Sequence, residues 1–290
     1  MTIKKFLFLL PFIFFLILIA WGQINKNSGS VKPENSHTPL FFEEKTFYDA
    51  VSETKNLEGF GFRAAGGVVP HDLFASFIIA DFFKRLAFQK PDSIILLGPN
   101  HFEKGNFKVL SSLYDWDTPF GKVKPDKMTL NRLQELNLVK IDEDVLPQDQ
   151  ALSALMPFIK YFLPDAKVVP LLMSSRLNIK DAEILANQLG NSGKKDTVII
   201  SSVDFSHYLK STQAKEKDKI TLGAIEEFNF QKLYLLNSDY LDSPPSITVL
   251  LKTMQNLGTT GMDLLYHTNS GQLQKKENIP VISYYSLVYH

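Results

Sequence analysis

His71 and His101 are the residues of this chain best placed to do chemistry. Each closes a short apolar run that reads as a buried strand. The first run is Gly66-Gly67-Val68-Val69-Pro70-His71; the second is Ile94-Ile95-Leu96-Leu97-Gly98-Pro99-Asn100-His101. A histidine at the end of a buried strand in an α/β sheet points into the crevice where such folds bind ligands. Two of them, each introduced by Gly/Pro turn chemistry, suggest one shared site. Neutral imidazole is the commonest protein ligand for metals, so that site could hold an ion. Taken singly, each histidine has a plainer role available, hydrogen-bonding a carbonyl at a strand end.

A third apolar run, Thr197 to Ser201, leads into Ser202-Val203-Asp204-Phe205-Ser206-His207. Residues three apart on a loop or first helical turn lie on the same side, so Asp204 could orient His207 as an acid–base group or ligand. Its plainer role is to cap the next segment. His267 ends a fourth run, whereas His37 precedes the domain and His290 is the C-terminal residue. No P-loop, no GxGxxG after a strand, no His-Glu-x-x-His and no G-x-S-x-G is present. Ser201 and Ser202 near His207 therefore lack the elbow that a serine hydrolase needs.

The elements that position these residues alternate. Helical spacing runs over Leu73–Phe88, Lys127–Leu136, Asp149–Phe162, Ile179–Leu189, Ile220–Leu236 and Pro245–Leu257. Pro157 must kink the third of these or end its first half. Strands are expected at Ser93–Leu97, Lys167–Leu172, Thr197–Ser201, Met262–Tyr266 and Val281–Val288. Strands separated by helices imply an α/β fold, a central mixed, largely parallel sheet flanked by helices. No internal repeat or second domain boundary is evident.

Lys+Arg and Asp+Glu both number 31, which gives no electrostatic reason to expect nucleic acid as a partner. There is no cysteine, which excludes disulfides, thiolate metal sites and a cysteine nucleophile. Lys4 and Lys5 precede an apolar run from Phe6 to Trp21. As a helix it would span roughly 24 Å, a little short of a ~30 Å hydrocarbon core. Residues 1–22 read as a signal peptide or N-terminal membrane anchor, with Ala20-Trp21-Gly22 as a cleavage site, and either way the body is exported. Residues 23–45, rich in Asn, Ser, Lys and Pro, read as a flexible tether, and residues 46–290 as the domain.

The motifs AGGVVPH (65–71), LLGPNH (96–101), DTPFGKVKPD (117–126), MPF (156–158), SSVDFSHY (201–208) and YHTNSG (266–271), in this order, resemble the Memo family. Its bacterial members are called AmmeMemoRadiSam system protein B. The resemblance covers about Arg63 to Val288 and implies a fold similar to class III extradiol dioxygenases. It further implies a non-haem metal site, with iron favoured over copper or zinc. The two histidine ligands of the family match His71 and His101, and its pocket histidine matches His207, with Asp204 beside it. The third ligand, Cys or Asp in relatives, is expected shortly after the Asn-Ser-Gly turn, a position that reads Gln272; His267 is the alternative. A Glu-His-Ser of the family is replaced by Asp149-Gln150-Ala151.

Two readings are open on these residues. One is an exported, membrane-tethered metal protein with redox or oxygenase-type chemistry on an unspecified substrate, His207 moving a proton. The other is a non-catalytic module, binding a small molecule or peptide, that has lost its full metal site. A metal-dependent hydrolase would need a carboxylate such as Asp204 or Asp72 at the ion.

Overall fold

The computed structural model describes residues 35–38, 40–190, 196–276 and 279–290. The expected leader (1–22) and most of the tether (23–34) lie outside them. Among the described residues no helix is long and apolar enough to cross a membrane.

Residues 36–290 fold around a mixed sheet. Its strands are β1 (Ser36–His37), β2 (Gly66–Val69), β3 (Ser93–Pro99), β4 (Val109–Ser111), β5 (Asp115–Thr118), β6 (Gly121–Pro125), β7 (Lys140–Ile141), β8 (Lys167–Met173), β9 (Thr197–Ser202), β10 (His207–Lys210), β11 (Met262–Asn269) and β12 (Pro280–Tyr289). The main path runs β1-β5-β6-β8-β3-β9-β2-β12-β10. From β6 through β8, β3 and β9 to β2 every pairing is parallel; β12 then joins β2 antiparallel.

The parallel strands read as continuous apolar runs because helices cover both of their faces. Alternation divides them: Ile95, Leu97, Val169, Leu171 and Ile199 face one apolar layer. Ile94, Leu96, Val168, Leu172, Val198 and Ile200 face the other. The first layer is closed by α6 (Ile179–Gly190), α7 (Ser211–Glu226), α8 (Phe230–Leu235) and α9 (Pro244–Leu257). The second is closed by α1 (Glu44–Glu53), α2 (Ser76–Ala87), α4 (Gln150–Ser153) and α5 (Met156–Phe162). Outside these layers are α3 (Lys127–Glu135), which packs on the first, and α10 (Ser270–Gln274) beside β12.

Two expectations are corrected. The segment read as a tether up to residue 45 is structured from β1 onward. Ser36 and His37 pair parallel with Asp115 and Trp116 of β5. His37 is buried, with Nε2 2.7 Å from Ser112 Oγ and 3.1 Å from Glu143. Its composition is polar, yet one imidazole against Trp116 and a carboxylate is enough to pin it. Next, the helix expected over Ile220–Leu236 is two helices, broken where Phe228 adopts a left-handed backbone (φ 51°). The Asp149–Phe162 run is divided as Pro157 led one to expect, into two helices with Pro157 in the first turn of the second, where its missing N–H costs nothing.

Gly98 lets α4 pack directly over β3. A Cβ there would lie 2.9 Å from the Ala151 Cβ and 3.0 Å from the Leu152 side chain. Gly98→Ala is expected to lower stability by about 1–3 kcal/mol through overpacking. Urea unfolding checks this; an unchanged midpoint would show that α4 moves aside freely.

Candidate metal centre

In the sheet, β9 lies between β3 and β2, so the chain leaves three adjacent strand ends at the same edge. His101 follows β3, Asp204 follows β9 and His71 follows β2. Strands two places apart are about 9.6 Å apart, yet the two imidazoles turn inward until their ring centres are 5.0 Å apart, at 81°. The structure thus brings the two histidines together at one place.

Each imidazole is held through Nδ1. His71 Nδ1 lies 3.3 Å from the Ser202 carbonyl, which can only accept, so Nδ1 carries the hydrogen. His101 Nδ1 donates to Asp149 at 2.7 Å, and Asp149 also accepts the His101 backbone N–H at 2.9 Å. The same carboxylate caps α4 through the Ala151 N–H. Both Nε2 atoms are left facing inward, where each could offer an electron pair once it carries no proton. A histidine whose far nitrogen is fixed by a carbonyl or carboxylate is the arrangement that metal-ligating imidazoles use.

What they face is Asp242. Its Oδ2 lies 3.3 Å from His71 Nε2 and 3.7 Å from His101 Nε2. Asp242 sits on the loop that enters α9, where Ser243 caps the helix and Pro244-Pro245 fill its first turn. Two reciprocal bonds fix it to β9: the Asp204 N–H donates to Asp242 Oδ2 (3.1 Å), and the Asp242 N–H to the Asp204 carbonyl (3.2 Å). Asp242 Oδ1 is buried with no hydrogen-bond partner. An orphaned carboxylate oxygen beside two free imidazole nitrogens is what a cation would satisfy. Among the described residues, His71, His101 and Asp242 form one group whose ligand atoms lie within 4.8 Å of each other; Asp204, His207 and Asp242 form a second.

The third-ligand expectation is thereby corrected. Gln272 is exposed on α10 and accepts from the Thr268 hydroxyl. His267 donates to the buried Asp218 (2.9 Å) and stacks on Tyr285. Neither lines the cleft of about 490 Å³ that holds His71, His101, Asp204, His207 and Asp242. The fault lay in reading sequence nearness to the turn as nearness to His71 and His101. Asp242 was missed because Asp-Ser-Pro-Pro reads as an ordinary helix start. The available signal was an acidic residue opening a helix, α9, that is buried from Pro245 to Leu251.

Asp204 is also placed differently from expectation. It is buried, accepts the His71 backbone N–H (3.1 Å) and lies 3.4 Å from His71 Nε2. It braces His71, and no hydrogen bond joins it to His207 among the described residues. His207 Nδ1 is buried without a partner. Asp72 accepts from the Tyr284 hydroxyl at 2.6 Å and from the Phe74 N–H, at the cleft wall.

Charge is tightly coupled here. Burial pushes Asp204 up to about 6, helped by Asp242 and Asp72 and opposed by His71. Burial works against a charged His101, but the hydrogen bonds and charges of Asp149 and Asp242 outweigh it and push His101 up to about 10. Without a metal, His101 thus holds a proton between two carboxylates.

Comparisons with known proteins place a chain of this geometry. A family model described as Memo-like protein matches residues 44–288. The chain belongs to the Memo-like family. Its relatives include a MEMO1 family protein of Pyrobaculum aerophilum, 27% identical over 79% of this chain and 85% of that protein. Another, from Methanosarcina barkeri, is 29% identical over 77% of this chain and 85% of its own length. An uncharacterised protein of Escherichia coli K12 shares the fold, with a TM-score of 0.51 at 12% identity, over 77% of this chain and 99% of that one.

The His101 proton makes a prediction for the metal-free family member. A base whose pKa is raised on folding contributes stability in full below its unfolded value, about 6.5, and loses it as pH rises through about 10. Stability measured by urea unfolding should therefore decline across that window, and Asp149→Asn should flatten the decline. Parallel declines in the two proteins would contradict the assignment.

Proposed function

We propose that this Memo-like chain is a metal protein whose ion is held by His71 Nε2, His101 Nε2 and the Asp242 carboxylate. The observation that carries the reading is the buried, unpartnered Asp242 oxygen between two imidazoles whose other nitrogens are already committed. Two histidines and one carboxylate on one face are the set suited to Fe(II), and the set also accepts zinc or copper. Bound there, iron would supply redox chemistry and open positions for a substrate or O₂. The resemblance to class III extradiol dioxygenases supports oxygenase-type chemistry as the favoured reaction.

The chain's own residues would do the rest. Asp149 and the Ser202 carbonyl orient the imidazoles, and Asp204 holds the His71 backbone and offsets charge. His207, with its buried free Nδ1, would accept or release a proton at a substrate in the cleft. The alternative of a non-catalytic module rested on the absence of an anionic third ligand. The Asp242 carboxylate facing both imidazoles supports the metal reading instead.

Metal analysis of the full chain, purified without chelators and reconstituted anaerobically, tests the assignment. Wild type, Gln272→Ala and His267→Ala should bind one ion per chain; His71→Ala, His101→Ala and Asp242→Ala should lose it. Substoichiometric metal in wild type, or retention in Asp242→Ala, would overturn the ligand set. O₂ uptake by the iron form would favour oxygenase chemistry, and ester or amide cleavage by the zinc form a hydrolase.

We propose further that the domain is extracytoplasmic, on the strength of Lys4, Lys5 and the apolar run Phe6–Trp21. A β-lactamase fused after His290 should confer ampicillin resistance in a bacterial host. Deletion of residues 2–22 should abolish it, and resistance that survives the deletion would refute export by this segment.

A further inference from the structure

Strained backbone points to the mouth of the same cleft. Six non-glycine residues among those described have positive φ: Lys90, Glu103, Asn137, Tyr208, Phe228 and Lys275. Four of them come just after helix ends, at α2, α3, α7 and α10, where a left-handed residue is an ordinary stop. The remaining two, Glu103 (φ 47°) and Tyr208 (φ 57°), both line the cleft. Uncommon backbone conformations persist where the surroundings enforce them, and they cluster at functional sites.

Tyr208 is enforced from both sides. Strand pairing slips at this residue, from His207 opposite Ile282 to Leu209 opposite Val281, so Tyr208 is the extra residue of a bulge. Just before it, the Phe205 N–H donates to the Ser283 carbonyl and the Ser283 N–H to the Ser206 carbonyl, each at 2.9 Å. The Ser206 hydroxyl donates to the buried Asp218 at 2.7 Å. Bulges re-aim side chains. Here the ring is aimed out of the core, 76% exposed, at the edge of the cleft with its centre 5.7 Å from that of His207.

Apart from His71, His101 and His207, the charged side chains lining the cleft are all acidic. Asp72, Glu103, Asp204 and Asp242 face it, and among the described residues no lysine or arginine does. Arg176, 3.8 Å from Glu103, lies outside the lining and donates to the Gly105 carbonyl and the Ser174 hydroxyl. A divalent ion would balance two carboxylates and leave the field negative. An anionic ligand would be repelled; a cationic amine would be drawn in and could rest against the Tyr208 face.

We propose that the cleft takes a ligand bearing a cationic amine, with Tyr208 as the residue that positions it. The proposal rests on this cleft being the functional site, whichever ion it holds.

The test titrates the full chain, both metal-loaded and chelator-stripped, by calorimetry with three probes of one ring and different tails: tyramine, 4-ethylphenol and 4-hydroxyphenylacetate. Tyramine should bind at least about tenfold more tightly than 4-hydroxyphenylacetate, and its advantage over 4-ethylphenol should shrink with salt. Tyr208→Ala should weaken tyramine about tenfold, Tyr208→Phe should restore it, and Glu103→Gln should narrow the gap between tyramine and 4-ethylphenol. Equal or tighter binding of 4-hydroxyphenylacetate overturns the proposal. So does an absence of tyramine binding in both forms, or a Tyr208→Ala variant that is folded and binds unchanged. Amine preference in a protein that holds no metal would uphold this proposal and count against the ion assignment alone.

Discussion

Three carboxylates, Asp149, Asp204 and Asp242, are buried at one edge of the sheet around two imidazoles. Burying charge is costly unless an opposite charge and hydrogen bonds compensate. In the metal-free chain the compensation is a proton on His101, backbone N–H groups on Asp149 and Asp204, and the clasp between Asp204 and Asp242. One oxygen of Asp242 is left over. That imbalance organises the site: every surrounding group points a donor or a negative charge inward, and a divalent ion could replace the proton and satisfy the orphan together.

The fold exists to hold this arrangement open. Parallel strands β3, β9 and β2 deliver His101, Asp204 and His71 side by side, and Gly98 lets α4 approach so that Asp149 can reach His101. On the opposite wall, α9 is anchored by apolar residues from Pro245 to Met254, so its first turn presents Asp242 from a fixed support. A carboxylate on a loop between helices is held firmly when the helix behind it is buried. The β10 bulge, by contrast, gives up backbone regularity to place His207 inside the cleft and Tyr208 at its rim.

Much of this was legible in the sequence, for identifiable reasons. Gly-Gly-Val-Val-Pro and Leu-Leu-Gly-Pro-Asn punctuate buried strands so sharply that the histidines after them could be placed at strand ends without coordinates. Their convergence, the parallel sheet and the family could be read from the same motifs. Asp242 was not legible because it lies 38 residues beyond Asp204, its bonding partner, in a stretch whose only local signal is helix initiation. Gln272 and His267 were misplaced because β11 pairs with the far side of β12, setting His267 opposite Tyr285 and away from the cleft. His37 was read as tether because polar composition hides a two-residue strand. In each case the missing information was a long-range pairing, which a local pattern does not encode.

The most direct test of the ligand set is an anomalous-diffraction map from crystals of the reconstituted protein, collected across the absorption edge of the bound metal. One peak is expected, about 2.0–2.2 Å from His71 Nε2, His101 Nε2 and an Asp242 oxygen. A peak seated instead among Asp204, His207 and Asp242, or a fully reconstituted crystal with no peak in the cleft, would contradict that assignment.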